Sequence, residues 1–146
     1  MEAQDTGYES KTLESFGRQA VMQTLDAELS IQGPGIVSIR FPFQSRFTQQ
    51  NGYIHAGIVA TILDSACGYA AFTLMPQGAD VLTVEFKVNL LRPAKGGALC
   101  REGNGGQARQ NNFCRGSCVV QLGIWRRKTG SDHDGNYHDN VAIFKN

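Results

Sequence analysis

Residues 52–72, GYIHAGIVATILDSACGYAAF, decide the fold. From Ala56 to Phe72 the side chains are apolar on nearly every face, unlike the one-sided stripe of a surface helix. A helix hydrophobic all round belongs in a core, and at about 1.5 Å per residue this one is long enough to cross the face of a sheet. Met75-Pro76-Gln77-Gly78 ends it, because proline supplies no N–H to continue the ladder. One carboxylate interrupts the apolar run, Asp64, beside Ile62 and Leu63.

Working outward, Leu13, Phe16, Ala20, Val21 and Leu25 recur at helical spacing, which predicts a helix over about 10–25. Ala27, Leu29 and Ile31 alternate before Gly33-Pro34-Gly35, and Val37, Ile39, Phe41 and Phe43 alternate after it. That pattern is a β-hairpin with one buried face. Residues 44–55 are polar and carry the Asn51-Gly52 turn signal. Beyond the buried helix, Leu82, Val84, Phe86, Val88 and Leu90 alternate with Thr83, Glu85, Lys87 and Asn89, a long strand ended by Arg92-Pro93. Helix, hairpin, buried helix and long strand in that order indicate an α+β domain, a helix wrapped by an antiparallel sheet.

The composition fits this and excludes other classes. The chain has 146 residues, 41% hydrophobic and 18% charged, with a formal charge of +1. That is one soluble globular domain, with no electrostatic case for nucleic acid or an anionic membrane as a partner. The first residues, MEAQDTGYESKTLESF, lack the basic and apolar regions of a signal peptide. Cys67, Cys100, Cys114 and Cys118 then read as reduced thiols of a cytoplasmic protein.

Asp64 is the residue that asks for chemistry. A carboxylate in an apolar helix must be paired, protonated or turned to a cavity. The helix is preceded by Gly52-Tyr53-Ile54-His55-Ala56-Gly57, a turn leading into unpaired N–H groups that stabilise developing negative charge. A carboxylate and an oxyanion site together suit acyl-group hydrolysis, with Asp64 as general base or nucleophile. Gln49 and Asn51 are read either as groups orienting a carbonyl or water, or as loop residues. The Asp132-His133-Asp134 and His138-Asp139 cluster lacks a scaffold to fix metal-ligand geometry, and the glycines of GGALCREGNGG lack the frame of a phosphate loop.

QQNGYIHAGIVATILDSACGYAAF (49–72) followed by LTVEFKVNLLRPAKG (82–96) resembles the PaaI-like branch of hotdog-fold acyl-CoA thioesterases. The likeness is close from about Phe47 to Gly96, and residues 10–46 suit the family's leading helix and hairpin. It implies an enzyme that hydrolyses an acyl-CoA to free acid and CoA, acting as a homodimer or tetramer with active sites at the subunit interface. Asp64 matches the catalytic carboxylate, and the backbone amides of His55-Ala56-Gly57 match those that polarise the thioester carbonyl. Gln49 stands where the family often has Asn, with Asn51 in the same turn. Thr83 and Glu85 would lie near the partner's pocket and Arg92 near the CoA phosphates. No metal or organic cofactor is implied, coenzyme A entering only as part of the substrate. Ile58, Ile62 and Phe72 are expected to line an apolar acyl pocket. A different class is a non-catalytic acyl-CoA-binding hotdog module; a buried Asp64 argues for the enzyme, since a binder has no use for it.

A seam follows this match. Lys and Arg number 7 against 9 Asp and Glu up to Gly97, and 7 against 4 beyond it; six of the eight Asn lie from Asn104 onward. Past Gly96 neither period is sustained, and although Phe113 to Trp125 could form a strand, two closing strands are expected to be missing. Back-translating Lys128–Asn140 and reading one base later permits Lys-Leu-Val-Ala-Thr-Met-Thr-Ala-Thr-Ile-Met-Thr, which resembles the family's final strand. The same shift over Asn104–Asn112 permits Thr-Val-Val-Lys-Pro-Gly-Arg-Thr-Ile, which resembles the preceding turn. Residues 1–102 are therefore read as an incomplete hotdog domain and 103–146 as a divergent segment, either translated out of frame, in which case this chain would be an inactive product, or genuinely divergent in sequence.

Overall fold

A computed structural model describes residues 2–90 and 93–95 in full, and the backbone of residues 98–104, 116–126 and 138–144. The elements run α1 (Tyr8–Gly17), α2 (Ala20–Thr24), β1 (Glu28–Gly33), β2 (Ile36–Pro42), α3 (Ala56–Phe72), β3 (Ala79–Leu90), β4 (Ala98–Asn104), β5 (Gly116–Arg126) and β6 (His138–Phe144), with a short 3-10 turn at Ser45–Phe47. This is the expected α+β hotdog arrangement: α3 is the central helix and packs on β2 and β4 of one sheet and on β3 and β5 of another. The sheet is not single, however. Among the described residues it forms two three-stranded antiparallel sheets, ordered β1-β2-β4 and β3-β5-β6.

The core follows the apolar pattern. Val37, Ile39 and Phe41 on β2 close over Val59, Ile62, Leu63 and Ala66 on α3. The β1–β2 hairpin pairs Glu28 with Arg40 and Ile31 with Val37, so its apolar face is the expected one. Ser38 is also buried, and its hydroxyl accepts a hydrogen bond from Gln32 Nε2 at 2.7 Å.

The leading helix is two helices, not one. Gly17, a weak helix former, ends α1, and Gln19 is extended (φ −81°, ψ 98°) before α2 begins. The break resets the helical phase. Phe16 and Leu25 are buried as expected, but Met22 turns inward in place of Val21, and Leu13 is exposed. Lys11 fastens α1 to the end of α3: its ammonium donates to the Met75 carbonyl at 2.6 Å and pairs with Asp5 at 3.1 Å.

β3 also departs from simple alternation. Its pairing with β5 slips between Thr83 and Glu85, leaving Val84 as the extra residue of a β-bulge. A one-residue slip changes which face a side chain occupies. Val81 before the bulge and Val88 after it pack on the core, whereas Leu82, Val84, Phe86 and Leu90 are exposed.

The strand allowed for Phe113 to Trp125 is present as β5 (Gly116–Arg126), and two further strands, β4 and β6, stand where closing strands were expected to be missing. β4 pairs with β2 from Ile36↔Asn104 to Pro42↔Ala98, and β6 pairs with β5 from Val120↔Phe144 to Ile124↔His138. Strand pairing is carried by backbone N–H and C=O groups, which every residue but proline has in full, so polar composition alone does not prevent it.

Candidate active site

Asp64 lies in the middle of α3, half-buried, and turns to a cleft of about 550 Å³ between α3, β3 and the α1–α2 corner. Its Oδ1 accepts a hydrogen bond from Thr83 Oγ1 at 2.7 Å. This meets the physical demand made by a carboxylate in an apolar helix: one oxygen is satisfied by a hydroxyl, and the group keeps access to solvent through the cleft. Thr83 can reach it because the residue sits just before the β3 bulge, on the face that meets α3.

The far wall of the cleft is polar. Ser15 and Gln19 approach from the α1–α2 corner, and Ser65 and Tyr69 stand one turn apart on α3. Ser65 Oγ donates to Gln19 Oε1 at 3.3 Å, and the hydroxyls of Ser15 and Tyr69 lie 3.4 Å apart. The Tyr69 ring is gripped edge-on by Phe16 and Phe72, at centroid distances of 5.5 and 6.2 Å. Burial pushes the Tyr69 phenol above its usual value, against the smaller opposing effect of its bond with Ser15. Arg18 and Asp80 stand at the rim.

A second polar group gathers at the first turn of α3. Thr48 and Ile54 form an isolated bridge. Between them, Gln49 N–H donates to the Tyr53 carbonyl at 2.8 Å and Gly52 N–H to the Gln49 carbonyl at 3.0 Å. Gly52 has φ +78°, a conformation that glycine adopts without strain. His55 N–H is held by the Phe47 carbonyl at 2.8 Å. The His55 side chain then caps the helix, its Nδ1 accepting from Gly57 N–H at 3.0 Å. A Cβ on Gly57 would come to 3.2 Å from that nitrogen, a tight contact that the His55 ring would have to relieve by a few tenths of an ångström. His55, Ala56 and Gly57 are all exposed.

Of the residues singled out in the sequence, Asp64 and Thr83 meet in the cleft. His55, Ala56 and Gly57 assemble separately at the start of α3. Gln49 and Asn51 belong to the adjoining turn, where Gln49 Oε1 accepts from Asn51 N–H; the oxygen expected to orient a carbonyl or water is bonded within its own loop. Glu85 lies past the bulge, exposed and outside the cleft. Arg92 lies outside the described residues, as do 132–137 of the Asp/His cluster. Among the described residues, no group of three His, Cys, Asp or Glu side chains could hold a metal ion, and no helix is long and apolar enough to cross a membrane.

The expected apolar lining is corrected. Ile62 and Phe72 are buried in the core and Ile58 packs against it; none of the three lines the cleft. Sequence reasoning missed Ser15, Gln19, Ser65 and Tyr69. The i, i+4 spacing of Ser65 and Tyr69 was the available signal, since it puts two hydroxyls on one face of an otherwise apolar helix.

Comparison with known proteins agrees with this fold. The model of the thioesterase superfamily matches residues 51–131, from the turn before α3 past the composition seam. The chain is 30% identical over 95 residues to a Saccharolobus solfataricus protein named "Putative esterase", covering 64% of this chain and 67% of that one. It is similar to the crystal structure of a thioesterase family protein from Silicibacter pomeroyi, with TM-score 0.66 and 40% identity over 94% of this chain and 93% of that one. The E. coli PaaI protein from the phenylacetic acid degradation operon shares the fold, with TM-score 0.62 and 16% identity over 86% of each chain.

Proposed function

The chain belongs to the thioesterase superfamily, and from that premise we propose that it hydrolyses an acyl-CoA thioester to the carboxylic acid and CoA at a site completed by two copies of the chain. The observation that carries the chemistry is the Thr83–Asp64 pair in the cleft. Thr83 fixes Oδ1 and leaves Oδ2 to hold a water. Asp64 takes a proton from that water as its oxygen adds to the thioester carbon; the tetrahedral intermediate expels the CoA thiolate, which receives the proton. In the alternative, an Asp64 oxygen attacks the thioester carbon and the CoA thiolate leaves, giving a mixed anhydride; water then hydrolyses that anhydride to the carboxylic acid and restores the Asp64 carboxylate, the thiolate taking up the released proton.

The first turn of α3 supplies the electrostatic half. Gly57 N–H is already aimed at an acceptor, His55 Nδ1, on the exposed end of the helix. A thioester oxygen in that place would receive the same N–H and the positive end of the helix dipole. Asp64 and Gly57 are seven residues apart on one helix, roughly 10 Å along its axis at 1.5 Å per residue. Base and oxyanion donors must both lie about 3 Å from the reacting group, so the two halves serving one substrate come from different chains.

The edge of β3 supports a second copy. In the order β3-β5-β6 it is a terminal strand of twelve residues, and it exposes Leu82 (48%), Val84 (66%) and Phe86 (45%). A long apolar edge is ordinarily covered. Pairing with another β3 would cover it and bring the partner's α3 near the cleft. The test is release of free CoA from acyl-CoA substrates by the purified protein. Hydrolysis abolished by Asp64→Asn supports the reading, and hydrolysis that survives it removes the mechanism.

A further inference from the structure

We infer that Gln19 is a catalytic residue of this site: its carboxamide nitrogen holds the water that Asp64 activates. The inference rests on the thioesterase reading and adds to it a group from outside the central helix and its sheets.

A water that attacks a thioester has to be held as well as deprotonated. Thr83 Oγ1 occupies Asp64 Oδ1 at 2.7 Å, so the water donates to Oδ2 and a second group must fix its oxygen. Most polar groups lining the cleft are committed elsewhere. The hydroxyls of Ser15 and Tyr69 face each other at 3.4 Å. Asp80 Oδ1 accepts from Val81 N–H at 2.8 Å, and Arg18 pairs with Glu14 at 3.3 Å in an exposed contact. Gln19 differs. Its Oε1 accepts from Ser65 Oγ at 3.3 Å, and no bond among the described residues reaches its Nε2. Two N–H donors are thus available in the cleft that Asp64 lines.

The chain holds this group from both sides. Gln19 is the extended residue between α1 and α2. Its N–H donates to the Phe16 carbonyl at 3.0 Å and its carbonyl accepts from Met22 N–H at 2.9 Å, so the side chain starts from a fixed point. Ser65, next to Asp64 on α3 and 7% exposed, takes the amide oxygen and leaves the nitrogen to the cleft. The tie is not needed to attach the α1–α2 corner, because Phe16, Met22 and Leu25 are already buried there. In the reaction the water donates one hydrogen to Asp64 Oδ2 and accepts from Gln19 Nε2, which leaves its second lone pair for the thioester carbon. As the oxygen adds, its proton passes to Asp64. The CoA thiolate then leaves and takes up that proton, and Gln19 is unchanged.

The experiment measures CoA release from acetyl-, hexanoyl-, lauroyl- and benzoyl-CoA and carries the fastest of them through the variants. Gln19→Met keeps the length of the side chain and removes both donors. It should lower kcat by about ten- to a hundredfold, with KM and melting temperature little changed. Ser65→Ala should lower kcat by a smaller factor. The double variant should be no slower than Gln19→Met alone, because Ser65 acts through Gln19. Gln19→Glu puts a second carboxylate beside the water. It should also lower kcat, and move the acidic limb of the kcat profile to higher pH, since a like charge disfavours ionisation of Asp64. Arg18, Asp80 and Tyr69, the other ionisable groups lining the cleft, are common to all the variants.

Unchanged kcat in Gln19→Met overturns the inference and leaves the thioesterase reading intact. A loss confined to KM does the same, as do losses that multiply in the double variant. A lowered melting temperature with full kcat would make the contact a structural tie, which overturns it too. If the unmodified protein releases CoA from none of the four substrates, the thioesterase reading is removed and the inference with it.

Discussion

The middle of α3 and its first turn hold polar chemistry in opposite ways. Around Asp64 the helix is enclosed, and the carboxylate is met by a hydroxyl from another element, Thr83. At His55–Gly57 the chain is exposed, and the polar groups satisfy each other locally through the His55 cap. A carboxylate in an apolar interior needs tertiary partners to persist; amides at a helix end need only an acceptor, and a neighbouring side chain supplies one. The enclosed half is therefore completed by tertiary contact, while the open half is completed locally and stays exposed.

That contrast can be broken from either side. The largest effect is expected from Asp64→Asn, which removes the base while keeping shape and should lower kcat by about 10²–10⁴-fold, measured by thiol release. Next is Phe86→Glu, a charge on the exposed edge of β3. Sedimentation velocity should show monomers, and activity should fall by about 10²-fold or more, in the range of losing an oxyanion donor. A dimer that persists with full activity would break the two-chain account.

Gly57→Ala presses a methyl against His55 Nδ1 and should cost about tenfold in kcat, less than loss of a whole oxyanion donor, with the circular dichroism spectrum unchanged. Thr83→Val should cost a similar or smaller factor, while Thr83→Ser retains the hydroxyl and most of the activity. Smallest is Lys11→Met, which removes the bond to the Met75 carbonyl far from either half. It should lower stability by about 1–2 kcal/mol, read as a reduced midpoint in urea.

The central helix was legible because seventeen residues apolar on every face admit one placement. The β1–β2 hairpin was legible from strict alternation around Gly-Pro-Gly. The break at Gln19 was not, because the spacing of Phe16 and Leu25 suits both one helix and two. The β3 bulge was hidden for a related reason: Leu82, Val84 and Phe86 alternate as a buried face would, and only the pairing with β5 shows the slip. β4 was not legible because ALCREGN lacks a period of its own and takes its register from β2. Sequencing the coding DNA around residue 103 separates an out-of-frame segment from a divergent one. Within the site, Asp64 stood out as a lone charge, whereas Ser15 and Gln19 join it only through the fold of α1 and α2.

Subunit complementation tests the two-chain site most directly. Asp64→Asn and Gly57→Ala chains, each purified separately, are unfolded together in equal amounts, refolded and assayed. If base and oxyanion donors come from different chains, each mixed dimer contains one intact site and one doubly altered site. Half the dimers are then mixed, and activity should rise well above either parent toward about a quarter of the unmodified protein's. Activity that stays at the average of the two parents would place both halves within one chain and contradict the account.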